Sequence, residues 1–235
     1  MHSRRWFCSC VATTIAAGFA ATRAVAEPAA CTVLTRATQS AVDPDAAIAR
    51  LKEGNARFVS GEMIHCDLRA QVRATATSQA PFAAVVGCID SRVPPEFVFD
   101  QRIGDIFSAR VAGNFVNTDI IGSLEFATYV TGARAIVVLG HSECGAIKGA
   151  IDDVRVGNLT AMLANIRPAV AASKAAGERT SKNAAFVQAV AESNAVMAAA
   201  MLTEKSQILK DLVANKKLRI AAAMHDVATG KIHFL

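Results

Sequence analysis

Four apolar runs of strand length, separated by segments of helical character, constrain the fold of this chain most strongly. The runs cover residues 82–87, 106–111, 135–140 and 218–224. The helical patterns between them include residues 120–130, 146–154 and 183–214. Strands that alternate with helices predict an α/β fold, with a mostly parallel central sheet flanked by helices. A last short strand is predicted at 231–235, after a turn.

A further helix is predicted before the first strand. Asp43 is a suitable N-cap residue, and Pro44 suits the first position of a helix. Ile48 and Leu51 follow at helical spacing, and Gly61 is a suitable end for the segment. We therefore expect an N-terminal helical arm that precedes the sheet.

The composition supports one folded domain. Of the 235 residues, 52% are hydrophobic, which excludes disorder as the main state of the chain. A membrane span needs about 18 uninterrupted apolar residues, and the sequence contains no such run. The stretch 184–202 comes closest, but Gln188, Glu192, Ser193 and Asn194 interrupt it. We therefore expect no membrane span.

Residues 1–26 have the pattern of a targeting segment. They carry three arginines and no acidic residue, followed by a short apolar stretch and an A-x-A sequence at 24–26. This order predicts a cleaved signal peptide and a protein that is periplasmic or otherwise exported. The opening S-R-R-W-F is similar to the twin-arginine signal. An ordinary secretory signal and an organelle transit peptide are the alternatives.

Removal of this leader changes the interpretation of the charge. The full chain has a net charge of +5, and loss of the three arginines leaves +2. So small a charge, without a basic cluster, does not indicate a nucleic-acid partner. Residues 27–42 are small and polar without a clear period, and we interpret them as a linker. Residues 43–235 are then expected to form the folded domain.

Reactive side chains follow the first and third predicted strands. Cys88, Asp90 and Arg92 come directly after the first strand, and His141 and Cys144 after the third. Sites in parallel sheets form beyond the carboxyl ends of the strands. Two cysteines and one histidine are a known ligand set for catalytic zinc. Taken singly, Cys88 also fits a buried small hydrophobe, and the Asp–Arg pair fits a surface ion pair.

The spacing of Cys88, Asp90 and Arg92 gives the second part of the predicted site. Alternate residues of an extended segment project to the same side, so the three side chains share one space. An arginine paired with an aspartate keeps the carboxylate ionised and fixes its direction. Asp90 is then able to orient a zinc-bound water, or to bind the zinc itself and close the site.

The segments C-I-D-S-R at 88–92 and G-H-S-E-C-G at 140–145 resemble the paired motifs of the β-class carbonic anhydrases. The resemblance extends from about residue 43 to the C-terminus. It includes the segments 49–58, 110–114, 122–127, 166–170 and 226–230, and a Q-A-P sequence before the first strand. This chain is thereby identified as a member of that family, in an exported bacterial form.

The resemblance implies one zinc ion per chain, bound by Cys88, His141 and Cys144. It implies that Asp90 and Arg92 form the catalytic dyad. It also implies that Gln79 and Gly145 bind the substrate. The expected reaction is the reversible hydration of carbon dioxide to bicarbonate and a proton by zinc-bound hydroxide. The expected assembly is a homodimer or a larger assembly of dimers.

Two positions depart from the family pattern. The family often has a tyrosine where this chain has His225, and an Arg-Asn pair where it has Arg110-Val111. Members regulated by bicarbonate use aromatic residues near these positions, so the resemblance does not extend to that regulation. His225 is the best candidate for a proton shuttle among the histidines that are not ligands. Two other functions fit the same residues: hydrolysis of carbonyl sulfide or carbon disulfide, and zinc binding without turnover.

Two cysteines are left outside the predicted zinc site and the leader. Cys31 and Cys66 flank the first predicted helix. Exported proteins meet an oxidising compartment, in which a pair of free cysteines within reach forms a disulfide. We therefore predict a bridge between them, and the alternative is two free thiols, because sequence does not give the required geometry.

Overall fold

The computed structural model describes residues 31–235; the predicted leader and the first four residues of the predicted linker lie outside the described residues. The strands are β1 Ala83–Gly87, β2 Ile106–Arg110, β3 Ala135–His141, β4 Arg219–His225 and β5 Ile232–Phe234. The helices are α1 Arg36–Ser40, α2 Pro44–Ser60, α3 Leu68–Thr75, α4 Pro95–Val98, α5 Thr118–Glu125, α6 Gly145–Ile151, α7 Gly157–Ala164, α8 Arg167–Ala172, α9 Ala184–Lys205 and α10 Gln207–Ala214.

The five strands form one sheet in the order β2-β1-β3-β4-β5. The first four strands are parallel, and β5 joins antiparallel to β4. The α/β class with a mostly parallel sheet is therefore confirmed. In this register Gly87 lies beside Leu139, so the residues after β1 and the end of β3 meet at the carboxyl edge of the sheet.

Both faces of the sheet pack against other parts of the chain. Successive residues of a strand point to opposite faces, so each strand contributes to both cores. Val86 and Val138 pack on one face against residues of α5, α6, α9 and α10. Val85 and Val137 pack on the other face against α2 and the residues around α4. The central strands β1 and β3 are continuous apolar runs because every one of their residues is buried.

The predicted N-terminal helix is present as α2. Asp43 accepts hydrogen bonds from the backbone N–H groups of Asp45 and Ala46, and Pro44 is the first helical residue. Gly61 ends the helix with a positive φ of 77°, a conformation that glycine adopts without a steric penalty. Leu51 is fully buried and belongs to the core between α2 and the sheet.

Two predicted helices differ from the structure. The pattern at 183–214 is divided into α9 and α10, because the Ser206 hydroxyl accepts from Leu209 N–H and caps a new helix. Ser206 also donates to Glu125 Oε1 at 2.5 Å, which ties the break to α5. The pattern at 120–130 continues from α5 into a π-helical turn, Phe126–Val130. The short helices α1, α3, α4, α7 and α8 carry too few periodic positions to be recognised in the sequence.

Residues 31–42, which we call the N-terminal strap, lie along the amino edge of the sheet. The buried amide of Gln39 donates to the carbonyl of Pro81, just before β1. Arg36 donates to the carbonyl of Thr131, before β3. The predicted disulfide is confirmed, since Cys31 and Cys66 are bonded with a Cα–Cα distance of 5.6 Å. The strap therefore has defined structure in a segment that we interpreted as a linker.

Helix α9 is mostly apolar. By length and composition it is the one helix in the described part of the chain that is able to span a membrane. It packs against β3 and β4, and eight of its residues are buried in the core. This arrangement is that of a core helix.

Candidate metal centre

The side chains of Cys88, His141 and Cys144 meet at the carboxyl edge of the sheet. One ligand atom from each, two sulfurs and one ring nitrogen, lie within 4.8 Å of one another. All three residues are buried, with at most 4% of their surface exposed. The ends of β1 and β3 bring the residues together, and the turn into α6 places Cys144 beside them. This cluster contains the three residues that the sequence predicted as metal ligands.

The imidazole of His141 is oriented for a metal. Its Nδ1 lies 2.9 Å from the carbonyl of Ser142, and since a carbonyl only accepts, Nδ1 carries the proton. The lone pair is then on Nε2, which is buried and has no hydrogen-bond partner among the described residues. A buried nitrogen of this kind is costly unless it binds something. Two sulfurs and this nitrogen match the donor set that zinc prefers.

The two thiols influence each other's pKa. A hydrogen bond from Cys144, and then the backbone N–H of Gly113, lowers the pKa of Cys88, although burial opposes the shift. The same bond, and then burial, raises the pKa of Cys144, although the N–H groups of Ile147 and Ala146 oppose the shift. The hydrogen bond between the two thiols therefore shifts their pKa values in opposite directions.

Asp90 and Arg92 form a two-pronged ion pair beside the cluster. Arg92 donates to both carboxylate oxygens, at 2.9 Å from Nε and 2.8 Å from Nη2. These bonds hold the pKa of Asp90 well below its usual range. Asp90 Oδ2 lies 3.9 Å from His141 Nε2. The carboxylate is therefore ionised, fixed in direction and close to the metal ligands without being one of the clustered atoms.

Arg110 was not recognised as part of the site from the sequence. It is the last residue of β2, and its guanidinium donates to the carbonyls of Cys88 and Asp90, at 2.8 and 2.7 Å. One side chain thus holds the segment that carries a ligand and the dyad. The register, which places Arg110 beside Gly87, is the feature that identifies this contact, and sequence alone does not give it.

The two predicted substrate-binding residues lie in different places. Gly145 follows Cys144 directly, begins α6 and is exposed at the cluster. Gln79 is exposed before the amino end of β1. At about 3.3 Å per residue, β1 alone separates the two edges of the sheet by roughly 13 Å. Gln79 and Cys88 therefore stand at opposite edges within one chain.

His225 lies on β4 directly beside His141. It is 97% buried, with 3% of its surface exposed, and neither ring nitrogen has a hydrogen-bond partner in the described chain. Burial, and then the proximity of His141, lowers the pKa of His225 to about 4. A proton shuttle needs a pKa near the working pH and access to solvent, so the structure does not favour this role.

Comparison with known proteins matches residues 83–232 to the family model described as carbonic anhydrase. A carbonic anhydrase of Mycolicibacterium smegmatis is 41% identical over 141 residues, which cover 57% of this chain and 68% of that protein. Carbonic anhydrase 2 of Mycobacterium tuberculosis is 34% identical over 191 residues, which cover 80% of this chain and 91% of that protein.

Solved structures show the same fold. The β-carbonic anhydrase CafA of Aspergillus fumigatus superposes with a TM-score of 0.63 at 24% identity, over 81% of this chain and 89% of that one. The Coccomyxa β-carbonic anhydrase, solved in complex with acetazolamide, gives a TM-score of 0.63 at 25% identity, over 71% of this chain and 78% of that one. A tetrameric β-carbonic anhydrase of Sordaria macrospora gives 0.60 at 24% identity, over 71% and 90%.

Proposed function

The chain belongs to the β-carbonic anhydrase family of lyases, and from this premise we propose that it hydrates carbon dioxide reversibly to bicarbonate and a proton with one zinc ion. The observation that carries the proposal is the buried cluster of Cys88, His141 and Cys144, in which His141 Nε2 has no hydrogen-bond partner among residues 31–235. These residues would hold the ion through two sulfurs and that nitrogen. When bound, zinc supplies the Lewis acidity that makes a hydroxide nucleophile available near neutral pH.

The Asp90 carboxylate orients the attacking water. Because Arg92 keeps the carboxylate ionised, Asp90 Oδ2 accepts a hydrogen bond at neutral pH and does not donate one. A fixed acceptor beside the metal ligands directs the oxygen lone pair toward the carbon atom of the substrate. Arg92 also donates to the carbonyl of Glu143 at 3.4 Å, which ties the dyad to the segment between His141 and Cys144.

The assembly we propose is a homodimer or an assembly of dimers. Strand β2 lies at one edge of the sheet, and its outer side has no partner strand in residues 31–235. Phe126 packs edge-to-face on Phe107 of β2, with ring centroids 6.4 Å apart, and Phe97 belongs to α4, which contacts β2. Both rings are more than half exposed, at 62% for Phe97 and 52% for Phe126. An unpaired edge beside two exposed aromatic residues is a surface that a second copy would cover. One structural neighbour is described as tetrameric.

A second chain also gives Gln79 a role at the substrate. Since Gln79 stands at the edge opposite its own cluster, it is able to contact a substrate only in the centre of another chain. We therefore propose that each centre is completed by Gln79 of the partner subunit, and that Gly145 contributes backbone from its own chain.

We further propose that the protein is exported after cleavage of residues 1–26. The disulfide between Cys31 and Cys66 supports this proposal, because structural disulfides persist in oxidising compartments and are rare in the cytosol. In such a compartment the Cys31–Cys66 bond would persist and keep the N-terminal strap attached.

A direct assay of carbon dioxide hydration, with zinc measured per chain, tests the proposed function. We expect about one zinc per chain in the native protein, rapid hydration, and loss of both in Cys144→Ala. His233→Ala removes an exposed imidazole and is the control for adventitious metal. Carbonyl sulfide and carbon disulfide are assayed in parallel. Faster turnover of either substrate than of carbon dioxide, or tightly bound zinc in Cys144→Ala, would contradict the proposal.

A further inference from the structure

The turn at 111–114, which follows β2, supplies a hydrogen bond to a predicted metal ligand. The backbone N–H of Gly113 donates to Cys88 Sγ at 3.3 Å. The turn is closed by a bond from Asn114 N–H to the carbonyl of Val111, at 2.9 Å. The position of this turn relative to the metal centre therefore decides whether Cys88 Sγ keeps its hydrogen bond from Gly113 N–H.

A side chain at position 113 would be strained. Its φ is +83°, and a Cβ built there would stand 2.4 Å from Ile166 Cδ1 and 3.2 Å from Ala146 Cβ. The turn is thus packed against side chains on its inner side. Gly113 allows the backbone to approach the cluster closely enough to donate to the sulfur.

The other side of Gly113 is held by a residue of α9. Asn194 is 4% exposed, and its Nδ2 donates to the carbonyl of Gly113 at 2.8 Å, across 81 positions of sequence. The helix buries Ala191, Ala195 and Ala198 on the same side of the core. A carboxamide in such surroundings costs free energy unless it is hydrogen-bonded. Asn194 is also one of the polar residues that interrupt the apolar stretch 184–202.

We propose that Asn194 is a positioning residue for the metal centre, which acts on Cys88 through Gly113. This inference rests on the proposed zinc site. Asn194 fixes the turn on α9, and the turn presents its N–H to the sulfur. The N–H bond withdraws electron density from the thiolate and fixes the direction of the sulfur lone pairs. Loss of a group that hydrogen-bonds to a metal ligand commonly lowers metal affinity or activity by about 10–100-fold.

Zinc affinity and the spectrum of the cobalt-substituted protein test the inference without an activity measurement. We compare the native chain with Asn194→Ala and with Asn194→Ser, whose hydroxyl is able to bond to a carbonyl of its own helix and preserve folding. Asn55→Ala is the matched control, because Asn55 is equally a buried amide that donates to backbone carbonyls, those of Val98 and Gly230. Circular dichroism establishes which variants are folded.

We expect each folded Asn194 variant to bind zinc about tenfold more weakly in competition with a chelator. The sulfur-to-cobalt absorption band should shift to longer wavelength, because a thiolate without its donor gives up electrons more easily. Asn55→Ala should lower stability and leave both readouts unchanged. Affinity within twofold of native and an unshifted band in Asn194→Ser, or equal changes in Asn55→Ala, would overturn the inference. A native chain that binds no zinc would overturn the proposed function as well, so the two failures are distinguishable.

Discussion

The two edges of the sheet are held in different ways. At the carboxyl edge, Cys88 and its neighbours are positioned by hydrogen bonds from Arg110 and Gly113. At the amino edge, the N-terminal strap is closed by a disulfide and by bonds from Gln39 and Arg36 to backbone carbonyls. Within residues 31–235, the ring nitrogen Nε2 of His141 at the carboxyl edge is buried without a hydrogen-bond partner and is available to bind a metal.

This difference suggests a division between chemistry and stability. Groups that must contact a metal and a substrate cannot all be satisfied by the protein, so the carboxyl edge is arranged for reaction and not for maximum stability. The strap closes the opposite edge, where its bonds serve only the fold. Substitutions at the carboxyl edge should therefore change activity, and substitutions in the strap should change the free energy of unfolding.

The largest effect is expected for Asp90→Asn. This variant keeps the shape of the side chain but loses the charge that Arg92 holds, so hydration should fall by about 10²–10³-fold. Zinc content and the unfolding midpoint should stay near native. Asp153→Asn is the matched control, because Asp153 also pairs with arginines, at Arg155 and Arg167, away from the cluster. Stopped-flow measurement of the hydration rate tests this prediction. A rate for Asp90→Asn within threefold of native would contradict the division between chemistry at the carboxyl edge and stability at the amino edge.

Loss of the disulfide should have the next largest effect, on stability alone. The bond closes a segment of 35 positions. Loop-closure entropy for that length predicts a loss of about 3–4 kcal/mol in the double variant Cys31→Ser, Cys66→Ser. Urea unfolding at fixed protein concentration measures the loss, and hydration at 25 °C should be unchanged.

The native protein treated with a reductant is the control for that double variant. Both cysteines should also resist alkylation in protein purified from the exported fraction until the reductant is added. An unchanged unfolding midpoint, or low activity in a folded variant, would show that the strap does not act as described.

Gln79→Ala gives the smallest effect and links the two edges through a second chain. Gln79 is exposed, so stability should not change, but a lost substrate hydrogen bond should lower hydration by about tenfold. Coexpression with Cys144→Ala should raise hydration from about a tenth to about a quarter of the native rate, because random pairing makes about a quarter of all centres complete. The native chain coexpressed with Cys144→Ala gives the reference value. Absence of recovery would place Gln79 outside the partner's centre, and light scattering of a stable monomer would contradict the assembly itself.

Much of the carboxyl edge is predictable from sequence because its residues are close together along the chain. Cys88, Asp90 and Arg92 fall within five positions, and His141 and Cys144 within four. Each group follows an apolar strand, and parallel strands bring their carboxyl ends together. The cap of α2 and the class of the sheet are predictable for the same reason, since they depend on local patterns. The disulfide followed from counting cysteines, although its geometry did not.

The sequence by itself thus determined the α/β class, the reactive residues and the edge of the sheet at which they meet. The tertiary structure decided what holds them there: Arg110 bonds across strands, and Asn194 reaches Gly113 from a helix 81 positions away. It also decided that Gln79 lies away from its own centre and that His225 is buried. These contacts depend on strand register and helix packing, which bring distant positions together without leaving a periodic pattern in the sequence. A single buried asparagine in an apolar helix shows only that a partner is needed; the fold determines which carbonyl it is.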